Sequence, residues 1–267
     1  MKTSAPAKAG YHTSSAALAI LFLLPLGWSA WSSVRTPRGF SLDNFSRMVH
    51  YGAGFGTYLR NSVTITALTV LGTLVVSILG GYAFGRFRFP GRNLLFLVTL
   101  AILMVPYPTI LIPLYVLLGK LGLQDSLIGV SLVLIMFQLP FATYMMRNSF
   151  EALPQELEDS AAVDGCGTLA TLFRVLIHAV RPALVTVGLF AFLAAWNDFF
   201  ASLILLNSTT NFTLPLAVVS MRESTFGSID YPLLQAGVVT MAIPCLILFL
   251  ILQRNYVRGF MTGALRG

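Results

Sequence analysis

Long apolar intervals recur along the chain, each almost free of charged residues. They lie between residues 8 and 35, 60 and 86, 92 and 120, 125 and 147, 182 and 206, and 230 and 254, and only Asp198 interrupts one of them. Each interval is near or above the roughly 20 apolar residues that cross a bilayer core. The runs are continuously apolar rather than alternating, which favours helices over barrel strands. The pattern predicts an all-α, polytopic membrane protein with six transmembrane helices in a single domain over residues 1–267.

The polar loop between the fourth and fifth intervals, residues 148–181, has the signals of two short helices. Pro154 suits the first turn of a helix, and the acidic residues that follow favour the positive end of the helix dipole. Gly165 suits a helix stop, and Thr168 can cap a second helix. A helix that lies on a membrane surface is basic and carries large apolar residues, whereas this one is acidic with small residues in its middle. The loop is therefore predicted to dock on another protein.

Two features of the apolar intervals, the prolines of the third span and an acidic residue in the fifth, leave alternatives open. Pro106, Pro108 and Pro113 each remove a backbone donor from the third span, so this span is either a broken helix that lines a cavity or a kinked packing helix. A carboxylate at Asp198 costs roughly 2.5–3.5 kcal/mol at the centre of a lipid-exposed helix. It is therefore expected to face the bundle interior, a partner or the outer interface, where it either lines a substrate path or makes a structural contact between helices. Residues 207–231 are predicted to form a polar outside loop.

The charge balance fits a membrane protein better than a nucleic-acid-binding one. Charged residues make up 10% of the chain, against about 25% in soluble domains, and the mean hydropathy is +0.80. With six spans and both termini inside, about 11 of the 17 Lys and Arg residues fall in inside segments, as the positive-inside rule requires. The arginines of the inside turn 86–92 are expected to face anionic headgroups. No basic cluster is interleaved with aromatic residues, which argues against nucleic-acid binding.

Candidate catalytic chemistry is sparse in this sequence. It contains no Gly-rich phosphate loop, so ATP hydrolysis is not expected in this chain. Cys166 and Cys245 have no metal-ligand spacing, and the three histidines are scattered over loops and helix ends. A single intramembrane acid also counts against an ion-coupled secondary carrier, which normally buries several. We therefore predict a transport subunit rather than an enzyme, with no catalytic residue, metal or cofactor of its own.

The segment 156–165, Glu-Leu-Glu-Asp-Ser-Ala-Ala-Val-Asp-Gly, resembles the EAA loop of ATP-binding-cassette importer permeases. We call residues 148–181 the EAA-like loop. Segments 87–92, 195–198 and 253–267 resemble the same family, and more narrowly its carbohydrate-uptake group. Two departures are visible. Asp159-Ser160-Ala161 stands where Glu-Ala-Ala is common, and Ile177-His178 replaces the usual Leu-Pro pair, which bears on the bend after the second short helix.

The resemblance implies a set of partners in the bacterial plasma (inner) membrane. These are a second permease, a dimer of ATPase subunits that binds ATP and Mg, and an extracytoplasmic solute-binding protein that delivers sugar to the outside loop at 207–231. The first helix of the EAA-like loop would sit in a cleft of the ATPase and convert its closure into alternating access. A non-sugar solute such as a polyamine or glycerol phosphate is the alternative substrate, and an ion-coupled carrier is the alternative class.

The resemblance also implies roles for particular residues. The ATPase-coupling residues would be Glu156, Glu158, Asp159, Ser160, Ala161, Asp164 and Gly165. Residues of a cytoplasmic tail over about 253–267 that would contact the ATPase are Arg254, Arg258, Gly259 and Gly263. Candidates for the substrate path are Tyr107, Trp196, Asn197 and Asp198.

Overall fold

Among the residues that the structure describes, the regular elements are helices and one short hairpin. A computed structural model describes residues 5–37, 39–221 and 229–264, with side chains described over 13–37, 39–221 and 229–251. The helices are α1 (Ala5–Ser33), α2 (Asp43–Val49), α3 (Phe55–Arg86), α4 (Arg92–Ala101), α5 (Tyr107–Lys120), α6 (Leu127–Glu151), α7 (Glu156–Val163), α8 (Thr168–Thr171), α9 (Ile177–Ala179), α10 (Arg181–Trp196), α11 (Phe200–Leu205), α12 (Leu214–Ser220) and α13 (Tyr231–Ala264). The antiparallel hairpin pairs β1 (Arg35–Thr36) with β2 (Gly39–Phe40).

The six predicted spans are confirmed, but two of them are bent. Four described helices are long and apolar enough to cross a membrane by themselves, over Thr13–Ser33, Phe55–Arg86, Leu127–Glu151 and Tyr231–Ile251. Two further pairs pass the same criterion only when they are taken together: Arg92–Met104 with Tyr107–Lys120, and Thr168–Ala179 with Arg181–Trp196. The described part of the chain therefore holds six spans if each bent pair is counted as one.

The third span is broken rather than kinked, because its two pieces meet at 105°. After α4 a 3₁₀ turn covers Ile102–Met104, and then Val105 (φ −85°, ψ 124°) and Pro106 (φ −61°, ψ 123°) are extended. A proline pushes the residue before it out of the helical region and cannot donate to the preceding turn. Pro113 lies inside α5, so not every proline of the span breaks it.

The fifth span is also interrupted, which the sequence pattern did not indicate. Helix α10 ends at Trp196, and α11 begins only at Phe200, so residues 197–199 separate two helical pieces. At its other end, α10 meets the segment Thr168–Ala179 at 82°. Helix α10 belongs to the fifth span whichever of the two neighbours is counted with it.

The chain divides into two compact units, one formed by residues up to Gly56 and from Ala217 onward, the other by Thr57–Leu216. In the first unit α1 and α2 pack against α13, and Met48, Met221 and Leu233 form a buried cluster. Buried Asn44 donates to the carbonyl oxygens of Ser33 and Arg35 at 2.9 and 3.0 Å. The single domain over 1–267 stays a prediction.

The second unit contains the EAA-like loop and both interrupted spans. One core cluster joins α5, α6 and α11, and another joins α3, α6, α10 and the EAA-like loop. The backbones of α3 and α6 cross closely at Gly81, where an added Cβ would lie 2.4 Å from the Cβ of Met146 and 2.9 Å from the backbone nitrogen of Arg147. Small residues permit such close crossings between membrane helices.

The polar loop predicted over 207–231 is only partly polar. Residues 207–210 are exposed, but the chain then forms α12, whose residues Leu214–Val218 are all buried. Leu214 donates its backbone N–H to the Ser62 hydroxyl at 2.7 Å, and Asn61 donates to the carbonyl oxygens of Thr210 and Phe212 at 2.8 and 3.0 Å. The apolar stretch in this segment is too short for the sequence alone to predict a buried helix. Residues 222–228 lie outside the described residues.

Candidate functional site

The first helix of the EAA-like loop, α7, is short and stopped by a defined backbone motif. It begins at Glu156, two residues after Pro154, and its last residue is Val163. Gly165 has φ +78°; its N–H donates to the carbonyl oxygen of Ala162 at 3.0 Å, and that of Cys166 donates to Ala161 at 2.9 Å. This pair of bonds is the Schellman motif, which satisfies the last carbonyl groups of a helix and needs a left-handed residue. The predicted stop at Gly165 is confirmed.

Helix α7 has one face toward the protein and one toward solvent. Ala161 is buried, and Leu157 and Glu158 are half-buried on the inner face. Glu156, Asp159, Ser160, Ala162, Val163 and Asp164 are exposed, and Val163 is 88% exposed. Of the residues predicted to contact an ATPase, Ala161 and Glu158 therefore face their own chain. The others remain available to a partner.

The inner face of α7 is held by an arginine from a distant helix. Arg86, the last residue of α3, forms an ion pair with Glu158, with 3.1 Å between Nε and Oε1. Its Nη2 also donates to the carbonyl oxygen of Leu153 at 2.8 Å, and lies 3.5 Å from that of Pro154. The expectation that Arg86 faces anionic headgroups is therefore wrong. The pair spans 72 positions of sequence, and no local pattern signals it.

The second half of the EAA-like loop is anchored in the core. Thr168 is not the cap of this segment, since Gly167 takes the N-cap position and no side chain caps it. A π-helical turn covers Leu172–Leu176, and both of these leucines are fully buried in the cluster with Met146 and Phe150. On the opposite side Leu169 and Phe173 are 63% and 51% exposed. The loop thus combines a fixed apolar base with an outer surface that is acidic and apolar.

The predicted tail is not a separate segment along the backbone. Helix α13 continues from Tyr231 to Ala264 without interruption, beyond the end predicted for the sixth span. The side chains of Arg254 and Arg258, and the surroundings of Gly259 and Gly263, lie outside the described residues. Contact of these residues with an ATPase stays a prediction.

The candidate substrate-path residues lie where the two broken spans meet. The Tyr107 hydroxyl, at the start of α5, donates to Asp198 Oδ1 at 2.6 Å. The backbone N–H of Ser202 donates to Oδ2 at 3.1 Å, and the hydroxyl of the same serine lies 3.3 Å from that oxygen. Asp198 is only 8% exposed, so its carboxylate is saturated by its own chain. Of the two alternatives for Asp198, this geometry favours the structural contact between helices.

The aromatic and amide neighbours of Asp198 differ in exposure. Trp196 is 2% exposed and stacks on Phe192, with 5.8 Å between ring centroids. Asn197 is exposed and donates to the carbonyl oxygen of Leu193 at 2.9 Å. Tyr107 makes an edge-to-face contact with Phe137 at 4.6 Å. A role in a substrate path stays a prediction for all four candidates.

A second carboxylate, which the sequence analysis did not single out, holds the other end of α11. Asp125 accepts the backbone N–H groups of Asn207 and Ser208 at 2.9 and 3.1 Å, and the Ser208 hydroxyl as well. Its own N–H donates to the carbonyl oxygen of Leu205 at 3.2 Å. Burial raises the pKa of this carboxyl, but hydrogen bonds from Ser208, Asn207 and Asn211 outweigh burial and hold it below its ordinary value. Asp198 and Asp125 thus pin α11 at both ends.

Comparison with known proteins identifies the class to which this arrangement belongs. Residues 77–261 match the family model of the binding-protein-dependent transport system inner membrane component. The chain belongs to this family. It is therefore a multi-pass inner membrane permease component, and the matched region includes the EAA-like loop, both broken spans and the pinned helix α11. Members of this family are transport components rather than enzymes.

Individual relatives of this permease are named for the transport of particular sugars. It is 33% identical over 231 residues to the arabinooligosaccharide transport permease AraQ of Halalkalibacterium halodurans, covering 86% of this chain and 81% of AraQ. It is 31% identical to the trehalose transport permease SugB of Mycobacterium tuberculosis, covering 94% and 93% of the two chains. The resemblance to carbohydrate-uptake permeases is confirmed by these relatives.

A solved structure has the same fold as this permease. It is a bacterial ABC transporter involved in the import of the acidic polysaccharide alginate. The TM-score is 0.80 at 21% sequence identity, with 95% of this chain and 99% of that chain covered.

Proposed function

We propose that this chain is one of two permease subunits of an ATP-driven, binding-protein-dependent importer for sugars. The family supplies the dependence on a binding protein, and the relatives AraQ and SugB, named for sugar transport, support the substrate class. ATP and Mg are bound by a separate ATPase subunit. The solute is delivered from outside, near the loop at 207–231.

The observation that carries the proposal is the outer surface of the EAA-like loop. Val163, Leu169 and Phe173 expose large apolar side chains in the same loop as the exposed Glu156 and Asp159. The base of the loop is tightly packed, because Leu172 and Leu176 are fully buried beneath the exposed surface. An apolar patch with a charged rim on a fixed support is the anatomy of a protein interface. The occupant is an ATPase subunit.

The orientation follows from the same placement. The EAA-like loop faces the cytoplasm, where ATP is hydrolysed, and six spans then place both termini on that side. The excess of Lys and Arg in those segments agrees with the positive-inside rule. Closure of the ATPase pair displaces α7, and the displacement moves α3, α6 and α10, which share one core cluster with the loop. The resulting rearrangement gives alternating access.

The test is purification of the tagged chain in mild detergent from its host, followed by identification of the subunits recovered with it. We expect an ATPase, a second permease and a sugar-binding protein. Replacing Val163 by serine should lower ATPase recovery roughly tenfold, because a buried apolar side chain contributes about 1.5–3 kcal/mol. Leu42→Ser is the matched control, since Leu42 is 69% exposed but lies before α2 in the other compact unit.

Two results would contradict the proposal. Transport by the purified chain without ATP would indicate an ion-coupled carrier. A recovered binding protein that takes a polyamine or glycerol phosphate, and no sugar, would replace the substrate class while leaving the ATP-driven mechanism in place.

A further inference from the structure

The ion pair between Arg86 and Glu158 lies at the junction of a membrane helix and the docking helix. Arg86 ends α3, which starts at Phe55, and Glu158 is the third residue of α7. The side chains are 11% and 20% exposed, so most of the pair is removed from water. A charge left alone in such a position carries a desolvation penalty, which makes the pair costly to separate.

Arg86 also fixes the chain that leads into α7. It donates to the carbonyl oxygen of Leu153, and lies near that of Pro154, in the short link between α6 and α7. One guanidinium thus contacts both the start of the link and the first turn of the docking helix. The planar, five-donor geometry of arginine suits this role, and the point charge of a lysine does not.

The end of α3 that carries Arg86 is itself immobilised. An added Cβ at Gly85 would lie 3.2 Å from both the Arg147 carbonyl oxygen and the Phe150 Cβ, so the ends of α3 and α6 are in close contact. Tyr82, one turn before Arg86, is buried and packs edge-to-face on Phe150 with 5.5 Å between ring centroids. A displacement at Arg86 is therefore passed to a rigid helix end.

We propose that Arg86 is a positioning residue that transmits displacement of α7 to α3 through its ion pair with Glu158. Apolar contacts between α7 and the core are non-directional and permit sliding, whereas a largely buried ion pair with 3.1 Å between Nε and Oε1 resists separation of its two groups. The pair therefore determines how much of the movement of α7 reaches the membrane helix. This inference rests on the proposed function, because it requires an ATPase that moves α7.

The test uses the complete transporter in proteoliposomes, with its binding protein and ATP, and measures solute imported per ATP hydrolysed. Glu158→Gln should lower this ratio roughly three- to tenfold with unchanged recovery of all subunits, as expected for losing a charge-assisted contact. Arg86→Gln should lower it at least as far. The double variant should be no worse than Arg86→Gln alone, because the two side chains act as one unit. Arg88→Gln, an exposed arginine two residues later, is the matched control and should leave the ratio unchanged.

The outcomes separate a transmitting role from a structural one. If Glu158→Gln reduces the amount of assembled transporter but not the solute imported per ATP, the pair only supports folding and the proposal is overturned. An unchanged ratio with full assembly, or effects of the two single variants that simply add, overturns it as well. If the unaltered transporter neither contains an ATPase nor hydrolyses ATP, the proposed function fails first and this inference fails with it.

Discussion

The two ends of α6 carry loops of similar polarity but opposite design. Helix α6 has 25 residues, so its ends lie about 37 Å apart. Before it, the carboxylate of Asp125 binds the chain around Asn207 and Ser208. After it, the EAA-like loop leaves Glu156, Asp159 and Asp164 exposed, and among the described residues none of these three takes part in an ion pair.

The difference shows how one residue type serves two purposes. The Asp125 carboxylate accepts two backbone N–H groups and one hydroxyl, and in this way it joins two loops. A carboxylate that stays in water contributes little to the fold, and its charge remains available at an interface. Glu158 is the exception within the EAA-like loop, because it is paired with Arg86. The end that carries Asp125 is held together by hydrogen bonds, whereas the end with exposed acids keeps its charges in solvent, as the proposed ATPase interface requires.

The largest effect is expected from a variant that disrupts the EAA-like loop, the end with exposed acids. Gly165→Val forces a β-branched residue into φ +78°. An added Cβ at this position would meet no atom within 4 Å, so the cost of the substitution is strain in the backbone. The left-handed conformation costs an L-residue about 1–2 kcal/mol, so the Schellman motif should open and α7 should be misplaced. We expect coupled uptake to fall more than tenfold in a transport assay, while the chain still inserts in the membrane.

The control for this variant lies two residues away. Gly167 has φ −74°, and an added Cβ there also meets nothing within 4 Å. Gly167→Val should therefore transport normally. Equal losses in both variants would show that added bulk, not backbone conformation, is responsible.

A second variant tests Asp198, the buried carboxylate that holds the first end of α11. Asp198→Ala leaves the Tyr107 hydroxyl and the Ser202 N–H without their acceptor. An unsatisfied buried polar group costs about 1–3 kcal/mol, so the midpoint of thermal unfolding in detergent should fall by several degrees. Tyr107→Phe should cost less than Asp198→Ala. Tyr144→Phe, a partly exposed tyrosine of α6, serves as the control. Normal stability with altered transport would instead place Asp198 in the substrate path.

The smallest effect concerns Asp125 and depends on pH. Its pKa is lowered in the folded protein, so its stabilisation is present above the unfolded pKa and is lost as pH falls through the folded one. Asp125→Asn keeps the side-chain size and tolerates φ +49°. At neutral pH the variant should melt about 1–3 °C lower, after allowance for solvent screening. The difference should shrink as the pH falls from the ordinary carboxyl pKa of 3.8, and should disappear below the lower pKa of the folded protein. A difference that persists below the folded pKa would mean that charge is not the cause.

Much of the architecture could be predicted from the sequence, because membrane insertion is read from local composition. Charge-free intervals of 20 residues or more indicate spans whatever their neighbours are. Gly165 indicates the end of α7, because one residue decides whether the backbone can turn there. The resemblance of 156–165 to the EAA loop indicates the family from the sequence alone. All of these signals lie within about one helix length.

Only the tertiary structure decided which polar residues face inward. Arg86 and Glu158 are 72 positions apart, and Asp125 and Asn207 are 82 apart, so no periodicity relates them. Ala161 was predicted to be an ATPase-coupling residue together with Asp159 and Ser160, which are exposed, but packing buries Ala161. The prolines of the third span also differ in the structure, since Pro106 lies at the break before α5 and Pro113 lies inside α5. These outcomes are set by contacts between distant segments, and such contacts exist only once the helices have packed.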